Sequence, residues 1–189
     1  MAKALTMIFG LLWLLLPSGA AAGEEVCFRA DADSGELAFS GVAEGNDFAG
    51  NFRDFEVTLC LGDRDLATAT IEVRVATASA TVGNRQGDEA LMDEELFFVE
   101  QYPEATWTSC EIVADNDGHR ANGKLTLRGL SANQTVQLKL ETKGDVIILS
   151  GSAEILRLDY NVGTGEFEDT DFIRNRVDLE FELLLTPDP

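Results

Sequence analysis

Hydrophobic and polar residues alternate with a period of two along most of the chain. The segments "FEVTLCL" (55–61), "TIEVRVA" (70–76), "TVQLKLE" (135–141) and "RVDLEFELLL" (176–185) each place apolar side chains on one face. Such alternation is typical of antiparallel strands with one face on a core and the other in water. Turn-forming clusters, for example "EGND" (44–47), separate the segments. About eight strands at this spacing predict an all-β protein, either a barrel or a sandwich.

One segment departs from this pattern. "DEALMDEELFFVEQ" (88–101) contains a single β-branched residue, and Leu91, Glu95 and Phe98 recur at helical spacing. We therefore expect a short helical segment around 88–98 that caps one end of the sheet.

The next stretch, "YPEATWTS" (102–109), sets one large aromatic residue among hydroxyl side chains. Proline cannot donate to a sheet ladder, so Pro103 marks the start of a strand. Alternation then places Trp107 on one face and Thr106 and Thr108 on the other. What Trp107 faces is the functional question that this strand raises.

The N-terminus has the pattern of a secretory signal. Lys3 precedes the apolar run "MIFGLLWLLL" (7–16), and the small residues of "PSGAAAG" (17–23) follow. The pattern predicts a signal peptide over 1–22 and a periplasmic or secreted protein. Ten apolar residues are too few to span a bilayer, so stable membrane insertion is not expected.

The chain is strongly acidic, with 34 acidic and 14 basic residues and a formal net charge of −20. Such a surface repels nucleic acid and anionic lipid headgroups, so neither is an expected partner. Solubility alone is an alternative reason for the charge.

Three cysteines at 27, 60 and 110 predict one disulfide and one spare thiol in an oxidising compartment. Cys27 precedes the first strand, and Cys60 ends the strand that follows the "EGND" turn. Antiparallel pairing of these strands brings Cys27 and Cys60 together and leaves Cys110 free.

Catalytic signals are weak. His119 is the single histidine, and we expect it to be solvated in the turn "DNDGHR". The calcium-like segments "DADSGE" (31–36) and "DNDG" (115–118) lack the closing glutamate of a calcium loop. No catalytic residue, metal ligand or cofactor is predicted, and the expected protein is not an enzyme.

Four ordered blocks of sequence resemble the YceI-like, polyisoprenoid-binding family. They are "DSGELAFSG…GNFRDFEVTL" (33–59), "VATASATVGNRQGDEALMDEELFFVEQYPEATWTS" (75–109), "NGKLTLRGLSANQTVQL" (122–138) and "LRLDYNVGTG" (156–165). The chain lacks the histidines that the family often carries near its first strand and beside the N-x-x-x-D segment. Any ligand contact that those histidines make is therefore absent here.

The resemblance implies an extended, eight-stranded, antiparallel, lipocalin-like barrel over 23–189 that encloses a tube for a long isoprenoid chain. The expected function is to sequester or carry this lipid in an aqueous compartment. A membrane redox or lipid-handling partner and a dimer are left open. Nine residues are candidates for the tube wall: Phe39, Phe48, Phe52, Phe55, Leu91, Phe97, Phe98, Tyr102 and Trp107.

Two other functions remain open at this point. One is an exported hydrolase with an unrecognised carboxylate site, and the other is an interaction module whose barrel is filled by its own side chains. For a lipid carrier, the acidic surface favours a neutral head, an isoprenoid quinone, over a polyprenyl phosphate.

The block "RLDY" (157–160) carries the last prediction. On a strand, Arg157 and Asp159 share one face and brace the end of the barrel by charge-assisted hydrogen bonds. The alternative is an ion pair on the surface.

Overall fold

The structure is a computed structural model that describes residues 25–62, 65–116 and 118–188. The predicted signal peptide over 1–22 lies outside the described residues.

Eleven strand segments, one α-helix and three 3-10 turns make up the described chain. The strands are β1 (Val26–Asp31), β2 (Gly35–Ala43), β3 (Asn46–Phe52), β4 (Phe55–Gly62), β5 (Asp65–Ala76), β6 (Ala80–Thr81), β7 (Glu104–Asp115), β8 (Gly118–Leu127), β9 (Leu130–Lys143), β10 (Val146–Leu156) and β11 (Arg176–Pro187). The helix α1 is Arg85–Met92, and the 3-10 turns are Thr77–Ser79, Arg157–Tyr160 and Gly165–Phe167.

The segments form one closed antiparallel barrel of eight strands. The ring runs β1, β4, β5, β7, β8, β9, β10 and β11, and β11 pairs back with β1. Strand β2 also pairs with β11, so β1 and β2 are consecutive parts of one barrel strand. In the same way β3 continues into β4, and β5 continues into β6 through a 3-10 turn. The predicted eight-stranded barrel is confirmed.

Alternation along each strand decides which side chains enter the barrel. On β4, Phe55, Val57 and Leu59 are 4%, 2% and 0% exposed, whereas Glu56 between them is exposed. The same rule buries Leu183 and Leu185 on β11 and exposes Leu184. The core is therefore the barrel interior, built from the inward rows of all eight strands.

The predicted helical segment is confirmed, but its bounds differ from 88–98. The helix begins three residues earlier because the Asn84 side chain accepts a hydrogen bond from the Gly87 N–H and caps the first turn. It ends at Met92, and the chain continues in turns in which the N–H groups of Leu96 and Phe98 donate to the Asp93 carbonyl. These turns lead to Pro103, and β7 starts at the next residue.

Cys27 and Cys60 are directly opposite each other on β1 and β4, and a disulfide joins them. Their Cα atoms are 4.0 Å apart. Cys110 is an exposed free thiol on β7. The disulfide therefore fastens the first barrel strand to its neighbour, in the pairing that the sequence predicts.

Replacing Cys27 and Cys60 by serine should lower the free energy of unfolding by about 3–4 kcal/mol, since the bridge closes a loop between residues 33 apart. Urea unfolding of the oxidised protein measures this loss. The matched control is Cys110→Ser, which should leave the transition in place. Peptide mapping that recovered a Cys60–Cys110 link or three free thiols would contradict the assignment.

Candidate ligand-binding cavity

The barrel interior contains a cavity of about 250 Å³. Its wall is built from inward-facing residues of the strands, together with residues of α1 and of the loops at the same end of the barrel. Leucine, valine, isoleucine, alanine and phenylalanine dominate this wall, and the polar residue types on it are Thr77, Thr106 and Arg157. Apolar clefts with few polar groups are typical sites for small ligands, and they usually measure roughly 300–1,000 Å³.

Seven of the nine predicted wall residues line this cavity: Phe39, Phe48, Phe52, Phe55, Leu91, Phe97 and Trp107. The prediction is wrong for Phe98 and Tyr102, which lie outside the lining. Phe98 has a positive φ of 49° in the loop after α1, where the alternation of a strand does not apply. The Phe98 and Tyr102 rings contact each other edge to face, with centroids 5.9 Å apart.

Trp107 faces the cavity, and it is 7% exposed. Its indole N–H donates to the Gln134 carbonyl at 3.1 Å, so the buried polar edge of the ring is satisfied. Gly123 makes room for the ring, because a Cβ atom there would lie 2.6 Å from ring carbons of Trp107. Thr108 is on the outer face as predicted, whereas Thr106 contributes to the lining.

A chain of aromatic rings lines the end of the cavity beside α1. The Phe39 centroid lies 6.4 Å from that of Phe48 and 5.2 Å from that of Phe52, and Phe52 lies 6.1 Å from Phe97. Gly50 allows this arrangement, since a Cβ there would lie 2.5 Å from Phe39. Phe97 follows α1 in the chain, so the aromatic chain connects the barrel wall to the loop above it.

The guanidinium of Arg157 holds the loop that covers this end of the cavity. Arg157 is 3% exposed, and its five N–H groups donate to five backbone carbonyls, those of Arg174, Val162, Gly163, Phe167 and Ile173. The donor–acceptor distances are 2.6–3.1 Å. Burial lowers the pKa of Arg157, but arginine stays protonated in proteins.

The predicted pairing of Arg157 with Asp159 is therefore wrong. Residues 157–160 form a 3-10 turn instead of a strand, and Asp159 is exposed while Arg157 points inward. Because the chain turns here, the two side chains do not share a face. The carbonyl partners of Arg157 come from residues up to 17 positions away in the sequence, so local spacing carries no signal for them.

A second arginine joins this loop to the one after α1. Arg128, in the turn between β8 and β9, donates to the carbonyls of Glu94, Glu95 and Asn161. The N–H groups of Gly163 and Thr164 also donate to the Glu95 carbonyl. Two loops distant in sequence thus form one cap, defined here as residues 93–101 and 157–175.

Asp88 fastens α1 to the barrel. Its carboxylate accepts hydrogen bonds from the Val82 N–H at 2.8 Å and from the Thr81 hydroxyl at 2.8–2.9 Å. The Val82 N–H, the Thr81 hydroxyl and the nearby Arg53 lower the pKa of Asp88, although partial desolvation opposes them. Leu91 is one turn further along the same helix face, so this anchor positions Leu91 over the cavity.

The described residues that line the cavity include no histidine, cysteine, serine or acidic residue. Among the described residues, no cluster of three or more histidine, cysteine or acidic side chains is arranged to hold a metal ion. His119 lies on β8 and is partly buried, and its Nδ1 lacks a hydrogen-bond partner. The prediction that His119 is a solvated residue in a turn is therefore wrong. No helix in the described part of the chain is long and apolar enough to cross a membrane.

Fold and cavity together define a class of protein, a closed antiparallel barrel with an apolar interior space. The family model described as the YceI-like domain matches residues 28–185, and the chain belongs to this family. Protein YceI of Shigella flexneri is 30% identical over 96 residues, which cover 51% of this chain and 50% of that protein. The chain thus spans about half the length of the curated relatives that it matches.

Solved structures share the fold. Burkholderia cenocepacia BcnA superposes with a TM-score of 0.77 at 24% identity, over 82% of this chain and 98% of BcnA. A structure described as a polyisoprenoid binding domain from Saccharophagus degradans, implicated in plant cell wall breakdown, has a TM-score of 0.62 at 15% identity. That alignment covers 85% of this chain and 98% of the domain.

Replacing Arg157 by methionine should lower the free energy of unfolding by about 3–5 kcal/mol. The reason is that five backbone carbonyls then lose their hydrogen-bond donor. Urea unfolding measures the loss, and Arg157→Lys should recover part of it with its three donors. Asp159→Ala is the matched control and should change stability by less than about 0.5 kcal/mol. A loss from Asp159→Ala as large as that from Arg157→Met would restore the ion-pair interpretation.

The Asp88 anchor should make stability depend on pH. A carboxyl whose pKa is lowered by folding stabilises the protein above its unfolded-state pKa and loses this effect as pH falls through the folded value. Asp88→Asn should therefore melt at a lower temperature than the unsubstituted protein at pH 7. This difference should shrink as the pH falls below the ordinary aspartate value of 3.8.

Thermal unfolding between pH 7 and pH 2 measures this dependence. Glu89→Gln is the control, since Glu89 makes an exposed pair with Arg85 on the same helix. A melting-temperature difference for Asp88→Asn that stayed constant down to pH 2 would contradict the assigned role.

Proposed function

We propose that the protein is an exported carrier that sequesters a long-chain isoprenoid lipid in the barrel interior. The observation that carries the proposal is the apolar cavity, whose wall joins strand side chains to the aromatic chain beside α1. The family membership and the neighbour described as a polyisoprenoid binding domain agree with this function.

Burial of the tail supplies the driving force. Each methylene removed from water contributes about 0.8 kcal/mol, so a fully buried isoprene unit of five carbons contributes about 4 kcal/mol. Part of this gain offsets the loss of translational and conformational freedom on binding. No covalent step is needed, and we do not assign an enzymatic activity.

The geometry of the arginines favours a neutral headgroup. The head of a bound lipid would lie at the cap end of the cavity, which we call the mouth, and a phosphate head needs free basic donors there. Arg157 has no free N–H group, since its five donors are bonded to carbonyls. Arg53 donates to Thr81 and lies beside the Asp88 carboxylate.

The negative charge around the mouth also favours a neutral headgroup. The segment 88–104 contains seven acidic residues and no lysine or arginine, so its field repels an anionic head. An isoprenoid quinone is the leading candidate, because its head is neutral and needs only hydrogen-bond donors.

Export is the part of the proposal that depends on residues 1–22. The apolar run before residue 17 and the small residues after it support a cleaved signal. The Cys27–Cys60 disulfide agrees with an oxidising compartment, where a water-insoluble lipid needs a carrier between membranes.

Organic extraction of the purified protein, followed by mass spectrometry, should recover an isoprenoid quinone. Ala153→Phe should abolish its recovery, since Ala153 lines the cavity and the added ring occupies the ligand's space. Ser152→Phe is the matched control on the outer face of β10 and should retain the lipid.

Two results would count against the proposal. Recovery of no lipid, or equal recovery from both variants, would favour a barrel that serves only as an interaction module. The second result comes from competition between a quinone and a polyprenyl phosphate of equal tail length. If the protein preferred the phosphate, and if this preference weakened as the salt concentration rose, the proposal of a neutral headgroup would be wrong.

A further inference from the structure

Packed apolar side chains close the cavity at the end opposite α1. Ile147 on β10 and Leu185 on β11 are directly opposite each other, 3% and 0% exposed, and neither lines the cavity. Two residues along, the cross-strand pair Leu149 and Leu183 does line it. The boundary between empty space and packed core therefore falls between these two pairs.

Four other strands, β1, β4, β7 and β8, contribute to this layer of packed side chains. Its members are at most 5% exposed, belong to the core and are absent from the cavity lining. We call this set the floor: Ala30, Leu59, Ile112, Ala121, Ile147 and Leu185.

The floor fixes the direction in which a lipid lies. The inward side chains of the floor are hydrocarbon, so a polar head placed there would lose its hydrogen bonds with water and gain none. The opposite end has the cap, with its exposed carboxylates and backbone groups. An isoprenoid in this cavity therefore has the tip of its tail on the floor and its head at the cap.

We propose that the floor sets the number of isoprene units that the protein buries, an inference that rests on the proposed function. Protein cores are close-packed and yield little to an inserted group. Affinity therefore increases with each added isoprene unit until the tail reaches from floor to mouth. Any further unit remains in water and adds nothing, so affinity reaches a plateau at a fixed tail length.

The number of side-chain carbons removed from the floor predicts how far the tail length at the plateau changes. Ile147→Ala combined with Leu185→Ala removes six side-chain carbons directly beneath the cavity, and one isoprene unit has five. The plateau should move to tails longer by one unit.

A second variant tests the inference without removing core packing. Leu149→Phe combined with Leu183→Phe adds six carbons to the base of the cavity, where there is free space. The plateau should then move to tails shorter by one unit. Ile155→Ala combined with Val177→Ala is the control, because this pair lies on the same two strands nearer the cap. It should weaken binding of all tails alike and leave the plateau length in place.

The measurement is quenching of Trp107 fluorescence by a series of isoprenoid quinones that share one head and differ in tail length. Trp13 and Trp107 are the tryptophans of the sequence, so a chain that lacks residues 1–22 reports on the cavity alone. Opposite one-unit shifts in the Ile147/Leu185 and Leu149/Leu183 double variants support the inference. If quinones bind and the affinity reaches its plateau at the same tail length in every variant, the proposed role of the floor is wrong and the carrier function stands. If the unsubstituted protein binds no quinone of any tail length, the carrier function is wrong, and so is the proposed role of the floor.

Discussion

Closure of the eight-stranded sheet is the constraint on which the rest of the structure depends. When β11 pairs with β1, each strand places alternate side chains in a shared interior, and no edge of the ring is left open. At one end, buried leucine, isoleucine and alanine side chains pack against one another in that interior. At the other end, the rings of Phe39, Phe52 and Phe97 contact one another and line the cavity. One strand pattern thus produces both a packed core and a cavity.

The cap is stabilised in a different way, by arginine side chains that bind backbone carbonyls. Arg157 and Arg128 draw irregular loops over the end of the barrel, where a hydrophobic core alone would leave the carbonyls without partners. Arg157 uses all five of its donors on the backbone, so one feature both stabilises the cap and favours a neutral head. The helix α1, which precedes the cap in the chain, has no fully buried residue, and the Asp88 anchor fastens it to the barrel.

Much of the barrel could be predicted from the sequence because side-chain direction in a strand follows from alternation alone. The pairing of Cys27 with Cys60 and the position of Trp107 both follow from that rule. Prediction was wrong where the chain leaves the strands. Phe98 and Tyr102 turn away in a loop with a positive φ, and the 3-10 turn at Arg157 depends on carbonyls distant in sequence. The glycines of "NVGTG" after Arg157 were the one local signal that a strand does not continue there.

The central claim is that the interior space belongs to an isoprenoid tail. A crystal structure of the protein purified with its natural lipid tests this most directly. We expect continuous electron density for one branched chain, from the Leu149–Leu183 pair, past Trp107, to a head near Phe97. A cavity that held only water, or that closed because its own aromatic side chains filled it, would show that no isoprenoid tail occupies this space.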